Sequence, residues 1–418
     1  MQTKTTYFPS LENVKAASLN LKGVASITPL SQNFQYSKKF GATILFKRED
    51  LQVVRSYKIR GAYNKMSSLV AQQKERGIVC ASAGNHAQGV ALSCKLLKIK
   101  GTIYMPSPTP NQKIEQVKMF GEEYIDVVIE GDTFDDAYHA AMLDCESQNK
   151  TFIHPFNDEK VIEGQATVGL EILDQTALKI DYVFVAVGGG GLSSGLSSVF
   201  KYLSPETKII GVEPEGAPSM TQSIKNHKNT PLHTIDSFVD GAAVKRVGDL
   251  NFEICQQHLS DMFTIPEGKI CQTILDLYNK DAIVVEPAGA LSIAGLDYYA
   301  DKIRGKNVVC IVSGSNNDIT RTAEIKERAL LFANLKHYFI IKFPQRALKE
   351  FLDDILGPND DITHFEYTKK TNRENGAAVV GLELKSSDDL APLIAKMKEK
   401  KFYGDYLNDK PDLFQFLV

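Results

Sequence analysis

Along most of the chain, short runs rich in β-branched residues alternate with longer segments whose apolar residues recur three and four positions apart. The short runs predict buried strands, and the longer segments predict amphipathic helices. The strands are predicted at 101–105, 124–129, 182–187, 208–212 and 307–312, and the helices at 85–98, 132–148, 161–173 and 319–332. This alternation is typical of α/β proteins with parallel sheets. Strands lie on both sides of Lys150 in sufficient number for two sheets, with a ligand cleft between two lobes.

The pattern changes after residue 334, where a second and smaller region begins. Strands are predicted at 337–343, 361–368, 377–384 and 402–406, helices at 346–356 and 388–400, and turns at 357–360 and 372–376. The resulting order, β-α-β-β-α-β, is typical of ferredoxin-like domains. The sequence therefore predicts an α/β region up to residue 334 and a ferredoxin-like domain at 335–418.

Composition narrows the class of protein. The 418 residues include 43% hydrophobic and 24% charged residues with a net charge of −3, as in an ordinary soluble globular protein. The chain has no basic segment suited to nucleic acid, and its six cysteines form no C-x-x-C pair that would indicate zinc. The uncharged stretch 182–200 contains five glycines and four serines, which argues against a membrane span. Because no signal peptide is visible either, a cytoplasmic protein is predicted.

Two segments carry residues suited to chemistry, although each is a weak signal alone. In segment 54–63, Lys58 lies at a predicted helix start, where a lysine with a lowered pKa can form a Schiff base and act as a base. The ordinary alternative is a solvated lysine. Segment 81–89 runs from a strand through small polar residues into a helix, and such a turn can receive a carboxylate or a phosphate. Its ordinary alternative is a simple N-cap.

A third segment, 187–195, places four successive glycines between a strand and a helix, which suits a phosphate group. A dinucleotide-binding turn is the competing interpretation, because the next strand ends in Glu213 at about the expected distance. However, Ser193 or Ser194 stands where the third glycine of that motif belongs, and no Gly-Lys-Ser/Thr follows for a Walker A loop. Together the three segments suggest one cofactor with an aldehyde and a phosphate, and pyridoxal phosphate fits.

The motifs S-Y-K-I-R-G-A, S-A-G-N-H-A-Q-G, G-G-G-G-L, E-P-A-G-A and S-G-S-N follow one another along the chain. Through them the sequence resembles the fold-type II pyridoxal-phosphate enzymes and, among these, the biosynthetic threonine dehydratases. The resemblance implies a two-lobed catalytic domain like the tryptophan synthase β-subunit at 1–334, with a small lobe at about 50–155 inserted in the larger lobe. Residues 335–418 resemble the single ACT-like regulatory domain of the shorter bacterial dehydratases.

The same resemblance implies roles for individual residues. Lys58 would form the Schiff base with the cofactor, and Tyr57 would pack beside the pyridine ring. Asn85 would hydrogen-bond the phenolic oxygen, and Ser313 would face the pyridine nitrogen. The phosphate would be held by a loop of Gly188, Gly189, Gly190, Gly191 and Leu192. The substrate carboxylate would be surrounded by a turn of Ser82, Ala83, Gly84, Asn85 and His86.

The implied reaction is the deamination of L-threonine by β-elimination to 2-oxobutanoate and ammonia, the committed step of isoleucine biosynthesis. The implied effector is L-isoleucine, which would inhibit the enzyme. The resemblance also implies a homo-oligomer, by analogy a tetramer. A serine at position 313 cannot keep the ring nitrogen protonated, which favours elimination over a long-lived carbanion. A catabolic threonine or serine dehydratase, which would also take L-serine, remains the alternative. Serine racemases have a second serine where this chain has Ala83, so racemisation is not expected.

Further residues bear on ligands and on other classes of protein. Glu213 and Ala217 match two positions of a cation loop in related enzymes, but Ser219 replaces a carboxylate of the divalent-binding members. No divalent metal site is therefore predicted, while a monovalent ion bound through carbonyl oxygens stays open. Segment 344–348 lacks a Pro-Gly insertion usual in the related short enzymes, and that loop often lines the effector pocket. Two other classes stay open: an NAD-dependent oxidoreductase, which would not need Lys58, and an amino-acid sensor with an inactive large domain.

Overall fold

The computed structural model describes residues 7–343, 348–368 and 376–410, and the chain divides into two compact units, Met1–Asp318 and Ile319–Val418. The strands of the first unit are β1 (Leu30–Gln32), β2 (Thr43–Arg48), β3 (Ile78–Ala81), β4 (Gly101–Met105), β5 (Ile125–Ile129), β6 (Thr151–Phe152), β7 (Tyr182–Ala186), β8 (Lys208–Pro214), β9 (Asp261–Ile265) and β10 (Asn307–Val312).

The helices of the first unit surround these strands. They are α1 (Leu11–Asn20), α2 (Phe34–Phe40), α3 (Lys58–Ser67), α4 (Ala71–Arg76), α5 (Asn85–Leu97), α6 (Asn111–Gly121), α7 (Phe134–Ser147), α8 (Glu159–Asp174), α9 (Gly191–Leu203), α10 (Ser219–Lys225), α11 (Asp249–His258), α12 (Glu267–Asp281), α13 (Pro287–Ala294) and α14 (Ala300–Ile303).

The first unit contains two sheets, as the sequence predicts. The six-stranded sheet has the order β1-β2-β10-β7-β8-β9, with β1 antiparallel to β2 and the other neighbours parallel. The four-stranded sheet has the order β5-β4-β3-β6 and is parallel throughout. Parallel sheets are covered on both faces, which explains why their strands are nearly continuous apolar runs. The α/β class is therefore confirmed.

Each sheet has its own apolar core. In the larger sheet, Val183 and Val309 pack with Leu196 and Phe200 of α9 and with Ile172 of α8. In the smaller sheet the core forms between the strands and helices α3, α5 and α6, from residues that include Met66, Ile78, Val90, Ile103 and Val117. The carboxyl ends of β3, β7 and β10 lead directly into the loops that carry the motifs S-A-G-N-H-A-Q-G, G-G-G-G-L and S-G-S-N, as is usual for parallel strands.

Several helix boundaries differ from the predicted ones for local reasons. Helix α8 begins at Glu159 rather than at 161, because the Asp158 side chain accepts hydrogen bonds from the next backbone N–H groups. Helix α7 begins at Phe134, since Thr133 caps it. Strand β5 begins at Ile125 rather than at 124, because a 3₁₀ turn with a positive φ of 47° at Glu122 precedes it. The strands at 101–105 and 307–312 agree with the prediction.

The second unit is a four-stranded antiparallel sheet with helices. Its elements are α15 (Thr322–Phe332), β11 (Lys336–Phe343), α16 (Leu348–Glu350), β12 (Asp361–Thr368), β13 (Gly376–Glu383), α17 (Leu390–Glu399) and β14 (Asp405–Tyr406). The strand order β12-β13-β11-β14 and the β-α-β-β-α-β connection confirm the ferredoxin-like topology. Its core includes Phe339, Ile341, Val380, Leu393 and Met397.

Two details of this unit differ from the expectation. The predicted helix at 346–356 is α16 followed by a π-helical turn, Phe351–Ile355, while its first two residues lie outside the described part. The last strand is shorter than the predicted 402–406, because the backbone N–H groups of Phe402 and Tyr403 donate to the carbonyl of Met397 and pairing with β11 begins at Asp405. The predicted turn at 372–376 lies outside the described residues except for its last position.

A buried cluster of charges fixes helix α3 against its neighbours in the first unit. Arg60 Nε donates to Glu49 Oε2 at 2.7 Å, and Arg60 Nη1 donates to Glu171 Oε1 at 2.6 Å. Lys47 Nζ donates to the other oxygen of Glu171 at 2.6 Å. Burial by itself would raise the pKa of Glu49, but Arg60 and Lys47 lower it overall. The carboxylate of Glu49 therefore stays ionised in the interior.

We expect Arg60→Met to lower the free energy of unfolding by about 3–5 kcal/mol, because it removes the buried ion-pair partner of Glu49 and leaves Glu171 with Lys47 alone. The matched control is Arg246→Met, whose ion pair with Asp249 is exposed and should contribute about 0–1 kcal/mol. Urea unfolding of both variants, followed by circular dichroism, measures the difference. Equal effects of the two substitutions would contradict this account of the cluster.

Candidate active site

Lys58 is the first residue of α3, and its amine is surrounded by protein. Its Nζ donates to the carbonyl oxygen of Pro155 at 3.1 Å and lies 5.4 Å from the centroid of the Tyr57 ring. Burial lowers the pKa of the Lys58 amine to about 8, and the carboxylate of Glu286 opposes this effect in part. The fraction of the amine that is neutral near physiological pH is therefore far larger than for an ordinary lysine, as a nucleophile or base requires.

The glycine loop lies between β7 and α9, where the backbone turns with a φ of 93° at Gly190. A Cβ atom at Gly189 would lie 2.2 Å from the Phe156 ring, and one at Gly191 would lie 2.4 Å from Gln165 Oε1. Side chains are thus excluded, and the backbone N–H groups at the start of α9 have no acceptor within the helix. Such a loop is suited to a phosphate, which the helix dipole also attracts.

The turn before α5 contains the residues predicted to bind a carboxylate. The N–H group of Gly84 donates to Ser82 Oγ at 3.2 Å, and Asn85 begins the helix. His86 Nε2 lies 2.8 Å from the carbonyl oxygen of Ile153, so this nitrogen carries the proton. Burial and then the nearby amine of Lys58 lower the pKa of His86 to about 3. The ring is therefore neutral, so an anion at this turn would meet backbone N–H groups rather than a charged histidine.

The three sequence motifs come together around Lys58. The Asn85–Leu97 helix passes so close to it that a Cβ atom at Gly89 would lie 3.2 Å from the Lys58 carbonyl oxygen. The glycine loop reaches the same region through Phe156, because the ring of this residue covers Gly189. Phe156 directly follows Pro155, whose carbonyl oxygen binds the Lys58 amine. The backbone N–H of Tyr57 donates to the carbonyl of Ser313 at 3.2 Å. Residues distant in sequence therefore form one cleft.

Two polar residues contact Asn85, and the sequence analysis assigned a role to neither of them. Asn85 Nδ2 donates to Glu286 Oε1 at 2.7 Å, and Asn85 Oδ1 accepts from Asn316 Nδ2 at 2.6 Å. Burial, together with the charge of Asp240, raises the pKa of Glu286 to about 7. The available signals were the motifs E-P-A-G-A and S-G-S-N themselves, which open with Glu286 and end with Asn316. The Ser313 hydroxyl donates to the carbonyl of Ala288 at 3.2 Å.

Residues 153–157 form a further part of the site that the sequence analysis missed. Ile153 and Pro155 offer their carbonyl oxygens to His86 and Lys58, while the Phe156 ring covers the glycine loop. The available signal was the polar and aromatic sequence H-P-F-N, which begins two residues after the end of β6. We call residues 153–157 the bridging segment.

The loop that contains Glu213 and Ser219, which resembles a cation loop in sequence, forms hydrogen bonds within the protein in this structure. Glu213 accepts backbone hydrogen bonds from Met220 at 2.7 Å and Thr221 at 2.8 Å, and so caps α10. Burial nevertheless raises the pKa of Glu213 to about 8. Ser219 donates to the carbonyl of Val244. Across residues 7–343, 348–368 and 376–410, no group of three or more His, Cys, Asp or Glu side chains could hold a metal ion. In the same described ranges, no helix is both long and apolar enough to cross a membrane.

Comparison with known proteins gives matches over nearly the whole chain. Residues 22–314 match the family described as "Pyridoxal-phosphate dependent enzyme", and residues 327–417 match "C-terminal regulatory domain of Threonine dehydratase". The proteins named L-threonine dehydratase biosynthetic IlvA from Halalkalibacterium halodurans and Bacillus subtilis are each 53% identical over 410 residues. These alignments cover 98% of this chain and 99% and 97% of those proteins.

Solved structures of related proteins share the fold of the larger part of the chain. The processed form of threonine deaminase isoform 2 from Solanum lycopersicum is 39% identical with a TM-score of 0.72, covering 78% of this chain and 96% of that one. Maize serine racemase is 28% identical with a TM-score of 0.72, covering 78% and 98% of the two chains.

The fold is that of a pyridoxal-phosphate-dependent enzyme. The chain belongs to the biosynthetic L-threonine dehydratase family. The residues fit the cofactor, because a desolvated amine can receive its aldehyde and a loop that excludes Cβ atoms can receive its phosphate. The predictions of the enzyme class and of the cofactor are therefore confirmed.

We expect the apoprotein to form a Schiff base with pyridoxal phosphate at a rate that rises with pH up to about 8 and then levels. Only the neutral amine attacks the aldehyde, and the lowered pKa of Lys58 places that transition near 8. A model lysine peptide serves as the control, with its transition at about 10.4. Stopped-flow absorbance measures both rates, and a Lys58→Ala variant corrects for surface lysines. A transition near the value of the control would contradict a desolvated amine.

Proposed function

We propose that the chain deaminates L-threonine by β-elimination, giving 2-oxobutanoate and ammonia, as the committed step of isoleucine biosynthesis. The observation that carries this proposal is the Lys58 amine, with its pKa of about 8, beside the glycine loop and the turn before α5. The 53% identity to two proteins named biosynthetic threonine dehydratases supports threonine as the substrate.

Bound pyridoxal phosphate supplies an electron sink that acidifies the α-hydrogen of an amino acid. In the proposed reaction, Lys58 Nζ removes that proton, because a neutral amine with a pKa of about 8 is a suitable base near neutral pH. The carbonyl of Pro155 orients the amine by accepting its hydrogen bond. The N–H groups of the 82–86 turn would bind the substrate carboxylate, and those of residues 188–192 would bind the phosphate.

The residues around the cleft favour elimination over racemisation. A racemase needs a second proton donor on the face opposite the lysine, and Ala83 offers only a methyl group in the turn where racemases carry a serine. The neutral hydroxyl of Ser313, which donates to the carbonyl of Ala288, would leave the ring nitrogen unprotonated. Both features support a dehydratase.

The holoprotein should therefore convert L-threonine to 2-oxobutanoate and ammonia in equal amounts. Lys58→Ala should lower kcat by about 10³-fold or more, because the base and the attachment point are lost together. Lys22→Ala, which removes an exposed lysine, is the control and should leave the rate unchanged. A coupled assay for the ketoacid measures all three proteins. Turnover that survives Lys58→Ala would rule out this assignment.

We further propose that residues 335–418 form the regulatory domain, that residues 1–334 form the catalytic domain, and that L-isoleucine is the effector. The ferredoxin-like topology and the match at 327–417 to a threonine dehydratase regulatory domain support this assignment. Coupling between two such sites typically amounts to about 1–3 kcal/mol. The homotetramer and the cytoplasmic location implied by the resemblance stay predictions.

L-isoleucine should bind the full chain and lower its apparent affinity for L-threonine by about 5- to 150-fold. Calorimetry measures the binding, and threonine saturation curves with and without isoleucine measure the coupling. D-isoleucine is the control, and it should have no effect. An intact oligomer that neither binds L-isoleucine nor changes its kinetics would favour the catabolic threonine or serine dehydratase instead.

A further inference from the structure

The bridging segment touches each of the three parts of the cleft. The carbonyl of Ile153 lies 2.8 Å from His86 Nε2 in the helix after the carboxylate turn, and that of Pro155 lies 3.1 Å from Lys58 Nζ. The ring of Phe156 occupies the space that a side chain at Gly189 would fill. Asn157 Oδ1 accepts from the backbone N–H of Leu250 at 3.1 Å. The shape of this segment therefore sets the relative positions of all three parts.

One side chain determines that shape. His154 Nδ1 accepts hydrogen bonds from the backbone N–H groups of Phe156 at 3.1 Å and Asn157 at 2.8 Å. A side chain that accepts from the N–H groups two and three residues later closes a turn in the same way as an Asx motif. The imidazole also packs edge-on against the Phe156 ring, with 4.6 Å between centroids and an angle of 82°.

The protonation state of His154 agrees with this role. Because Nδ1 accepts two hydrogen bonds, the proton of the neutral ring lies on Nε2. Burial, and then the positive charge of Lys58, lower the pKa of His154 to about 4, while Asp158 opposes the shift. The ring therefore remains a hydrogen-bond acceptor over the whole physiological range of pH.

We propose that His154 is a positioning residue for both the lysine and the phosphate loop. By closing the turn it aims the carbonyl of Pro155 at the Lys58 amine and holds the Phe156 ring against Gly189. His154 touches neither the Lys58 amine nor the glycine loop. It acts through Pro155 and Phe156, the two residues that follow it in sequence. The part of this inference that concerns threonine turnover rests on the proposed function, whereas the part that concerns cofactor affinity does not.

The test compares three variants of the full chain. His154→Leu removes the acceptor, and His154→Asn keeps an acceptor that can reach the same two N–H groups. His139→Leu, on the exposed face of α7, is the control for loss of an imidazole. Titration of each apoprotein with pyridoxal phosphate, followed by Schiff-base absorbance, gives the dissociation constant without any need for turnover.

For His154→Leu we expect the dissociation constant of pyridoxal phosphate to rise about tenfold, because two hydrogen bonds that fix the loop are lost. We also expect kcat on threonine to fall about 100-fold with KM changed less than about threefold, as for a misplaced base. The isotope effect with α-deuterated threonine should rise, since proton removal becomes slower. His154→Asn and His139→Leu should both stay within about threefold of the wild type.

Two results would overturn the proposal. One is a His154→Leu protein with unchanged cofactor affinity and unchanged kcat. The other is a His154→Asn protein as impaired as His154→Leu, because the acceptor would then not be the property that matters. If the wild type binds pyridoxal phosphate but does not consume threonine, the proposed function fails, and the cofactor titration still decides the role of His154.

Discussion

The ion pairs of the Arg60 guanidinium with two carboxylates hold in place the helix that begins at Lys58. The geometry of the cleft depends on these ion pairs. The two carboxylates, from Glu49 before the helix and Glu171 on α8, bind the guanidinium from different elements. Rotating or sliding α3 would separate buried opposite charges, which costs several kcal/mol. The position of the reactive amine is therefore set from the interior of the protein, two residues away from it, while the amine itself donates to the carbonyl of Pro155.

The same arrangement explains the electrostatics of the site. Helices α3, α5 and α9 all begin at the cleft, with Lys58, Asn85 and Gly191 as their first residues. Their N-termini favour negative groups such as a phosphate and a carboxylate. Burial disfavours the charged form of an amine, and so lowers the pKa of Lys58. A cleft that receives an anionic cofactor and substrate thus also keeps its lysine partly neutral.

Those parts of the site that form from one continuous stretch of sequence could be predicted from sequence. Lys58 at a helix start and the glycines between β7 and α9 are of this kind. The partners of Lys58 and Asn85 are not, because Pro155 is 97 positions from the first and Glu286 is 201 positions from the second. The role of His154 was also hidden, since its hydrogen bonds depend on a turn with no periodic signal. In the second unit, the hydrophobic pattern predicted the topology but not the short last strand. That strand starts late because Phe402 and Tyr403 donate to the carbonyl of Met397 in the preceding helix.

The most direct measurement is reduction of the holoprotein with borohydride, followed by peptide mapping with mass spectrometry. The account predicts one pyridoxyl group for each chain, attached to Lys58, and loss of the Schiff-base absorbance on reduction. An unmodified Lys58, with the cofactor attached to another lysine or to none, would contradict the central claim that this buried amine is the centre of the active site.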